Sequence, residues 1–470
     1  MSKNKYRYDA GRRTVLKGMA IGGAATLAGG VGSFITGCAP KKESDHSAAA
    51  VGGGEMTYRI NPSTGDKVSI LGYGCMRWPT IPDTDGELDQ EAVNQLVDYA
   101  LAHGVNYFDT SPAYCRGQSE QVTGNALARH PRESYFIATK LSNFAPQTWP
   151  REKSMEMYEN SFKYLQTDYI DYLLLHSIGQ GGMENFNSRY IDNGMLDFLI
   201  DERDKGRIRN LGFSYHGDVE VFDTMLKWQD EGRIRWDFVQ IQVNYVDWLH
   251  AKEINTRNTN GEYLYGELAK RGIPAVIMEP LLGGRLSTMP ENLTAVMKQS
   301  RPDDSIASWA FRYAGTPEGV LTVLSGMTYM THLKENITTY SPLVPINEEE
   351  DAMLQKVATM MLSYPLVQCN DCKYCMPCPY GLDIPGILLH YNKMVNQGHI
   401  MTSKTDPHYA QARREFLVGM DRKVPKLRQA ARCVNCKECN KHCPQSIDIP
   451  SELARIDSYA EALRRGEVTL

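Results

Sequence analysis

Short apolar runs alternate with longer amphipathic stretches between Tyr58 and Pro345. A short apolar run bounded by polar residues predicts a buried strand, and apolar residues at helical spacing predict a helix. The predicted strands are Val68–Leu71, Val105–Asp109, Tyr135–Thr139, Ile170–Leu175, Asn210–Ser214, Phe238–Gln242, Ala275–Met278 and Leu321–Ser325. The predicted helices between them include Glu91–Ala102, Ser154–Leu165, Val219–Gly232 and Glu262–Arg271.

This order of elements predicts an α/β fold, a (β/α)8 TIM barrel over residues 56–345. Such a barrel typically takes about 250 residues. A doubly wound open sheet is the alternative. No glycine-rich dinucleotide fingerprint follows the first predicted strand, and this favours the barrel.

Polar side chains stand at the ends of three consecutive predicted strands. Asp109 ends the second strand, Lys140 follows the third, and His176 ends the fourth. Tyr114 lies in the loop after the second strand. Barrel active sites form at the carboxyl ends of the strands, so we expect these four side chains to converge there. Singly, each residue also fits a helix cap, a solvated surface position or a packed core position.

The string Phe108-Asp109-Thr110-Ser111-Pro112-Ala113-Tyr114, followed by Gly117-Gln118-Ser119-Glu120 and Gly124, carries a resemblance. It resembles the signature of the aldo-keto reductase superfamily around its catalytic Asp and Tyr. Lys140 and His176 match the other two members of that family's tetrad. Further matches are Gly74 to Arg77, Gly212 to Ser214, Pro280 to Gly284, and Glu335-Asn336.

The resemblance implies an oxidoreductase that interconverts a carbonyl and an alcohol in a small substrate, with a sugar derivative among the candidates. Tyr114 would donate a proton to the developing oxyanion, although a free phenol with a pKa near ~10 is a weak acid. Lys140 would favour the phenolate by its charge, and Asp109 would orient Lys140. His176 would hydrogen-bond the carbonyl oxygen and fix the angle of the substrate.

The resemblance also implies a site for NAD(P)(H), but the matching residues depart from the family pattern. Ser214 and Gln242 stand where the nicotinamide carboxamide is held, and Met278 replaces an aromatic residue under the ring. Gly326 lies in a segment without the Lys and Arg that grip a 2′-phosphate, while Glu335 and Asn336 remain at the adenine end. These departures predict weak binding of the nicotinamide and no preference for NADP.

Eight of the eleven cysteines lie between Cys369 and Cys443. They form two groups that each end in Cys-Pro, with the ligands Cys369, Cys372, Cys375 and Cys378, and Cys433, Cys436, Cys439 and Cys443. Three cysteines at this spacing bind one iron–sulfur cubane, and the Cys-Pro cysteine ligates the other cluster. We therefore assign Cys443 to the first cluster and Cys378 to the second. Structural zinc sites and disulfides are the alternatives.

Residues 346–470 thus resemble a mainly helical dicluster ferredoxin domain, with predicted helices at Ile384–Gln397 and Pro407–Val418. The resemblance implies two [4Fe–4S] clusters, one-electron transfer and an unidentified redox partner. The chain has 470 residues, of which 42% are hydrophobic, so it is long enough for two domains. Its formal net charge of −5 argues against a nucleic-acid partner.

The amino terminus resembles a twin-arginine signal peptide. Basic residues lead to Arg12-Arg13, an apolar run follows from Met19 to Phe34, and Ile35 to Cys38 resembles a lipoprotein box. We expect residues 1–37 to be the signal, Cys38 to carry a lipid at a membrane surface, and residues 38–55 to be a flexible linker. The expected location is the periplasm or the cell envelope.

These patterns together predict an exported iron–sulfur oxidoreductase of aldo-keto reductase type. One alternative is a non-catalytic electron-transfer or binding protein whose nicotinamide pocket has degenerated. Another is an ordinary NAD(P)H-dependent reductase whose clusters serve only structure.

Overall fold

The computed structural model describes residues 54–82, 84 and 86–468. The predicted signal peptide, Cys38 and most of the predicted linker therefore lie outside the described residues. The strands are β1 (Tyr58–Ile60), β2 (Lys67–Ser69), β3 (Leu71–Gly74), β4 (Tyr107–Asp109), β5 (Phe136–Leu141), β6 (Ile170–Ile178), β7 (Ile208–Tyr215), β8 (Phe238–Gln242), β9 (Ala275–Met278) and β10 (Val320–Ser325).

The α-helices that the structure describes surround the barrel or form the carboxyl-terminal domain. They are α1 (Gln90–Ala102), α2 (Ser119–Leu127), α3 (Arg151–Leu165), α4 (Gly182–Phe186), α5 (Met195–Asp204), α6 (Val219–Asp230), α7 (Asp247–Ile254), α8 (Gly261–Lys270), α9 (Glu291–Ser300), α10 (Ile306–Gly315), α11 (Met330–Thr339), α12 (Glu348–Leu362), α13 (Ile384–Asn396), α14 (Tyr409–Lys423), α15 (Glu438–Lys441) and α16 (Ile449–Arg464).

Strands β3 to β10 are parallel and form a closed barrel, in which β10 pairs with β3. The predicted (β/α)8 barrel is therefore confirmed. Every residue of β6 and of β10 is buried, because the barrel interior covers one face of each strand and the outer helices cover the other. Burial on both faces explains why the middle of β6, from Tyr172 to Leu175, and most of β10 are apolar without alternation.

The prediction of the first barrel strand at Val68–Leu71 was wrong in its bounds. Val68 and Ser69 belong to β2, which pairs antiparallel with β1, and the barrel strand begins at Leu71. The β1–β2 hairpin packs against β10, and Val68 belongs to the same buried cluster as Tyr107 and Tyr172. Its residues therefore extend the apolar run at the start of the barrel without being part of it.

Helix α12 lies beyond the domain boundary predicted at residue 345, yet it packs with the barrel. Its buried residues Leu354, Val357 and Met361 belong to the same hydrophobic cluster as the barrel strands. A second cluster holds the carboxyl-terminal residues together and is built mainly from α13, α14 and α16. Tyr364 and Leu366 contact both clusters, so the connection between the two domains is a packed one.

Helices α13 and α14 lie where helices were predicted, at Ile384–Asn396 and Tyr409–Lys423. Among the residues that the structure describes, no helix is both long enough and apolar enough to cross a membrane.

Two helical glycines provide a test of this packing. A β-carbon at Gly124, in α2, would lie 2.1 Å from the carbonyl oxygen of Tyr164. We expect Gly124→Ala to lower the free energy of unfolding by about 1–3 kcal/mol, because backbone must move to make room. Gly266, in α8, has no atom within 4 Å of the same position. Gly266→Ala should instead stabilise by about 0.5–1 kcal/mol. Denaturant unfolding of both variants checks this, and equal shifts would contradict it.

Candidate active site and cluster-binding cysteines

The four residues of the predicted tetrad come together at the carboxyl ends of β4, β5 and β6. Lys140 Nζ donates to Asp109 Oδ1 over 2.6 Å and to the carbonyl oxygen of Thr110 over 2.8 Å. The same Nζ lies 4.9 Å from the centre of the Tyr114 ring. The rings of Tyr114 and His176 are 6.0 Å apart and nearly perpendicular. Lys140 and His176 lie within β5 and β6 rather than just after or at the end of them.

A tight turn places Tyr114 above the Asp109–Lys140 pair. Cys115 and Arg116, which follow it directly, both have positive φ angles of 50° and 56°, and Gly117 has a φ of 87°. Two consecutive non-glycine residues in the left-handed region cost free energy that the surrounding fold must offset. Strain of this kind beside a candidate proton donor is typical of a functional site.

The pKa of Tyr114 is raised well above its ordinary value, first by burial and then by the negative charge of Asp109. This direction is opposite to the expectation that Lys140 would favour the phenolate. The ammonium of Lys140 is held by the carboxylate of Asp109, so the positive charge near the phenol is largely neutralised. Tyr114 therefore carries its proton and serves as a hydrogen-bond donor at neutral pH.

His176 is a neutral imidazole. Burial lowers its pKa well below the ordinary value, and the charges of Lys140 and Arg189 act in the same direction. Nδ1 lies 2.6 Å from Ser142 Oγ. When the Ser142 hydroxyl donates to Nδ1, the single ring proton stays on Nε2, which can then donate to a substrate oxygen.

Two further residues support the tetrad and were not among the predicted site residues. Glu120 is buried, and it accepts a hydrogen bond from Thr139 Oγ1 over 2.6 Å. Arg189 donates to the carbonyl oxygen of His176 over 2.6 Å and so helps to fix the end of β6. Glu120 stands in the family-like string, which is a usable signal. Arg189 has no comparable signal, because it lies in an irregular helical segment far from any motif.

The residues predicted to bind a dinucleotide already have partners within the protein. Gln242 Nε2 donates to Asp247, and Asn336 Nδ2 donates to Ser325 Oγ over 3.0 Å. Ser214 Oγ accepts the backbone N–H of Ser177 over 2.8 Å.

The remaining predicted positions of the dinucleotide site are Met278, Gly326 and Glu335. Met278 ends β9, Gly326 follows β10 beneath the side chain of Arg77, and Glu335 is exposed on α11. Met278 and Gly326 thus lie at the ends of two neighbouring strands, and Glu335 lies on the helix that follows β10.

The first cysteine group lies against the same mouth of the barrel. Arg77, which follows β3, forms an ion pair with Asp371 at 3.8 Å. Asn370 Nδ2 donates to Glu279 Oε1 over 3.0 Å, and Glu279 follows β9 directly. The carboxyl-terminal domain is thereby joined to the loops that surround the tetrad.

The cysteines gather in the two sets that the sequence predicts. Burial raises the pKa of the Cys369 thiol to about 11 and that of Cys372 to about 12, and the nearby Cys443 thiol adds to both increases. Cys378, Cys433, Cys436 and Cys439 line one common pocket. Among the described residues, no three His, Cys, Asp or Glu side chains are placed to hold a single metal ion. The neighbours of these cysteines match the predicted exchange, with Cys443 beside the first group and Cys378 beside the second.

The backbone around the two cysteine groups repeats. Asp371 and Asn435, which precede the second cysteine of each group, both have positive φ angles, and so do Lys373 and Lys437, which follow it. Successive backbone N–H groups in such turns form concave nests of the kind that bind iron–sulfur clusters. These turns would therefore supply backbone hydrogen bonds to a cluster in addition to its cysteine ligands.

The repeat continues after each Cys-Pro. The sequences Leu382-Asp383-Ile384-Pro385 and Ile447-Asp448-Ile449-Pro450 begin α13 and α16, in each case four residues after the Cys-Pro cysteine. This internal repeat was missed in the sequence analysis, although it is visible in the letters. The two cysteine groups therefore share the same turns and the same start of the following helix.

Comparison with known proteins agrees with both parts of the chain. Residues 70–358, more than half of the chain, match the model of the aldo/keto reductase family. The chain belongs to the aldo/keto reductase family. Residues 368–448 match a 4Fe-4S dicluster domain. The family barrel is therefore joined here to an iron–sulfur domain.

Individual aldo/keto reductase relatives cover the barrel. L-galactose dehydrogenase of Arabidopsis thaliana is 24% identical over 322 residues, which are 65% of this chain and 95% of the relative. The oxidoreductase YqkF of Bacillus subtilis is 26% identical, over 61% of this chain and 92% of the relative. The holo form of an aldo-keto reductase from Bacillus halodurans has a TM-score of 0.52 and 24% identity, over 64% of this chain and 96% of that one. This structural likeness supports the fold.

Glu120 gives the aldo/keto reductase barrel a measurable pH dependence. Burial raises the pKa of its carboxyl from 4.5 to about 7. Between these values the unfolded chain is ionised while the folded chain keeps the proton, so the free energy of unfolding falls as the pH rises. Glu120→Gln removes this effect, and its stability gain over the wild type should be about 2 kcal/mol larger at pH 8.5 than at pH 5.5.

Denaturant unfolding at the two pH values tests this expectation. The control is Glu133→Gln, because Glu133 is exposed. A gain for Glu120→Gln that is the same at both pH values would show that the Glu120 carboxyl does not titrate in this way.

Proposed function

We propose that the chain is an exported oxidoreductase that interconverts a carbonyl and an alcohol in a small sugar-derived substrate. Electrons pass between this site and a separate redox partner through two [4Fe–4S] clusters. The observation that carries the proposal is the placement of the first cysteine group against the barrel mouth that holds the tetrad. If the clusters served only structure, the first cysteine group would not have to lie beside the tetrad.

The tetrad supplies acid catalysis and orientation. A carbonyl oxygen placed between Tyr114 and His176 can accept a hydrogen bond from the Tyr114 hydroxyl and another from Nε2 of a neutral His176. As negative charge develops on that oxygen, the Tyr114 proton transfers to it. Burial and the Asp109 carboxylate disfavour the resulting phenolate, so Tyr114 regains a proton after each turnover. In the direction of alcohol oxidation the same groups act in reverse.

Reduction of a carbonyl to an alcohol consumes two electrons and two protons. The reductant would be a one-electron redox partner that is oxidised twice for each turnover, and clusters held by the eight cysteines would pass these electrons singly. One proton comes from Tyr114 and the other from solvent. Cys369, Cys372, Cys375 and Cys443 would hold the cluster nearer the tetrad. Cys378, Cys433, Cys436 and Cys439 would hold the cluster nearer the surface, because Cys436 is exposed.

One relative supports the choice of substrate class. L-galactose dehydrogenase of Arabidopsis thaliana acts, by its name, on a sugar, and 95% of its length matches this chain. A sugar presents several hydroxyl groups, so it can bind polar side chains while one carbon faces Tyr114. We take L-galactose as the first probe among aldoses.

The tetrad is tested by Tyr114→Phe in the holoprotein, with an aldose panel as substrate and ferricyanide as a one-electron acceptor. We expect turnover to fall about 10²–10⁴-fold, because the proton donor is lost while packing is kept. The control is Tyr329→Phe, since Tyr329 is 63% exposed. Iron and sulfide near eight per chain in all three proteins would show that cluster content is unchanged. Equal turnover in the wild type and Tyr114→Phe would contradict the role of Tyr114 as proton donor, and no turnover in either protein would support the non-catalytic alternative.

Export is tested in cells. We expect the double substitution Arg12→Lys and Arg13→Lys to retain the protein in the cytoplasm, because the twin-arginine pair is read directly by its receptor. Cys38→Ala should leave export intact and release the protein from the membrane fraction, since the acylated residue is removed. Fractionation followed by immunoblotting measures both, and membrane retention of the Cys38→Ala protein would contradict lipid anchoring.

A further inference from the structure

We propose that the segment Gln368–Tyr374 occupies the part of the barrel mouth in which a dinucleotide would lie, so that this barrel excludes NAD(P)(H). The segment, called here the cluster segment, contains Cys369 and Cys372. The inference goes beyond the proposed reaction and does not depend on the identity of its substrate.

The cluster segment is anchored to loops on two sides of the mouth. On one side, Arg77 after β3 donates to the carbonyl oxygen of Asn370 and pairs with the carboxylate of Asp371. On the other side, Glu279 after β9 accepts the Asn370 amide, and Arg285 donates to Gln368. These contacts use both side-chain and backbone atoms, so the path of the segment is fixed across the mouth.

Asn370 lies directly against Gly283 in the loop after β9, with no space between them for a ligand. A β-carbon built at Gly283 would lie 2.2 Å from Cβ of Asn370 and 2.5 Å from its Cα. The two backbones are therefore in direct contact. A nucleotide that ran along this loop would have to displace Asn370.

The loop after β10 is covered as well. A β-carbon at Gly326 would lie 3.0 Å from Cδ of Arg77, and Thr328 Oγ1 donates to the Arg77 carbonyl oxygen over 2.9 Å. Arg77 thus lies on the backbone of Gly326, one of the positions that the family resemblance assigns to the dinucleotide site. The same guanidinium pairs with Asp371, so it is engaged within the protein at this opening.

The arrangement brings the cluster segment to the tetrad. Tyr374, the last residue of the cluster segment, and Glu279 both lie near enough to the Tyr114 phenol to interact with it electrostatically. The mouth that would receive a nicotinamide is therefore next to the first cysteine group. In this chain the cluster segment takes the place of a diffusible dinucleotide.

Equilibrium dialysis of the full-length holoprotein against NADH and NADPH provides the first test. We expect no saturable binding up to about 1 mM of either dinucleotide. Saturable binding of either one at a stoichiometry of one per chain would overturn the proposal. The Tyr114→Phe assay with ferricyanide contains no dinucleotide, so its result reports on the proposed function separately.

A pair of adjacent glycines tests the contact itself. Gly283 and Gly284 both have positive φ angles, of 69° and 95°, but only Gly283 faces Asn370, since no atom lies within 4 Å of a β-carbon at Gly284. Backbone strain is therefore common to Gly283→Ala and Gly284→Ala. We expect Gly283→Ala alone to accelerate hydrogen exchange of residues 368–374, by about tenfold or more. Equal exchange in the two variants would show that the cluster segment does not rest on this loop.

Discussion

The buried ion pair between Lys140 and Asp109 is the interaction on which the catalytic half of the molecule depends. Both side chains are nearly inaccessible to solvent, so their charges are stable there only because each has a close partner. Parallel register creates the pair. Asp109 is opposite Ala138, and Lys140 follows two residues later, so both side chains point into the barrel. Tyr114 and the neutral His176 then lie around the Lys140 ammonium, which Asp109 holds in place.

The same rim carries the second half of the molecule. Arg77, Glu279 and Arg285 follow strands of the barrel, yet each binds a residue of the cluster segment. Tyr364 and Leu366 pack against the hydrophobic clusters of both domains, and this apolar contact adds to the polar contacts at the mouth. The dicluster domain is therefore a structural part of the barrel's active face, and a description of either part alone omits half of the site.

The sequence is informative where the chemistry is local. Strands β8 and β9 have the predicted bounds, because each is short and almost wholly buried. The tetrad was located from the strand ends and the family resemblance, and the exchange of Cys378 and Cys443 from the cysteine spacing and the two Cys-Pro pairs. The strand at Val68–Leu71 was misplaced because a hairpin outside the barrel is equally apolar. The direction of the Tyr114 pKa and the position of Asn370 on Gly283 depend on distances between remote segments, which no local pattern contains.

The repeated cysteine groups have a consequence for the assembly of the protein. In each half of the repeat, three cysteines belong to one pocket while the Cys-Pro cysteine belongs to the other, as the neighbours of Cys443 and Cys378 show. With this ligand assignment neither half would complete a coordination sphere by itself, so each cluster would need cysteines from both halves. A chain with one half misfolded would then leave both coordination spheres open, and cluster insertion would depend on the fold of both halves.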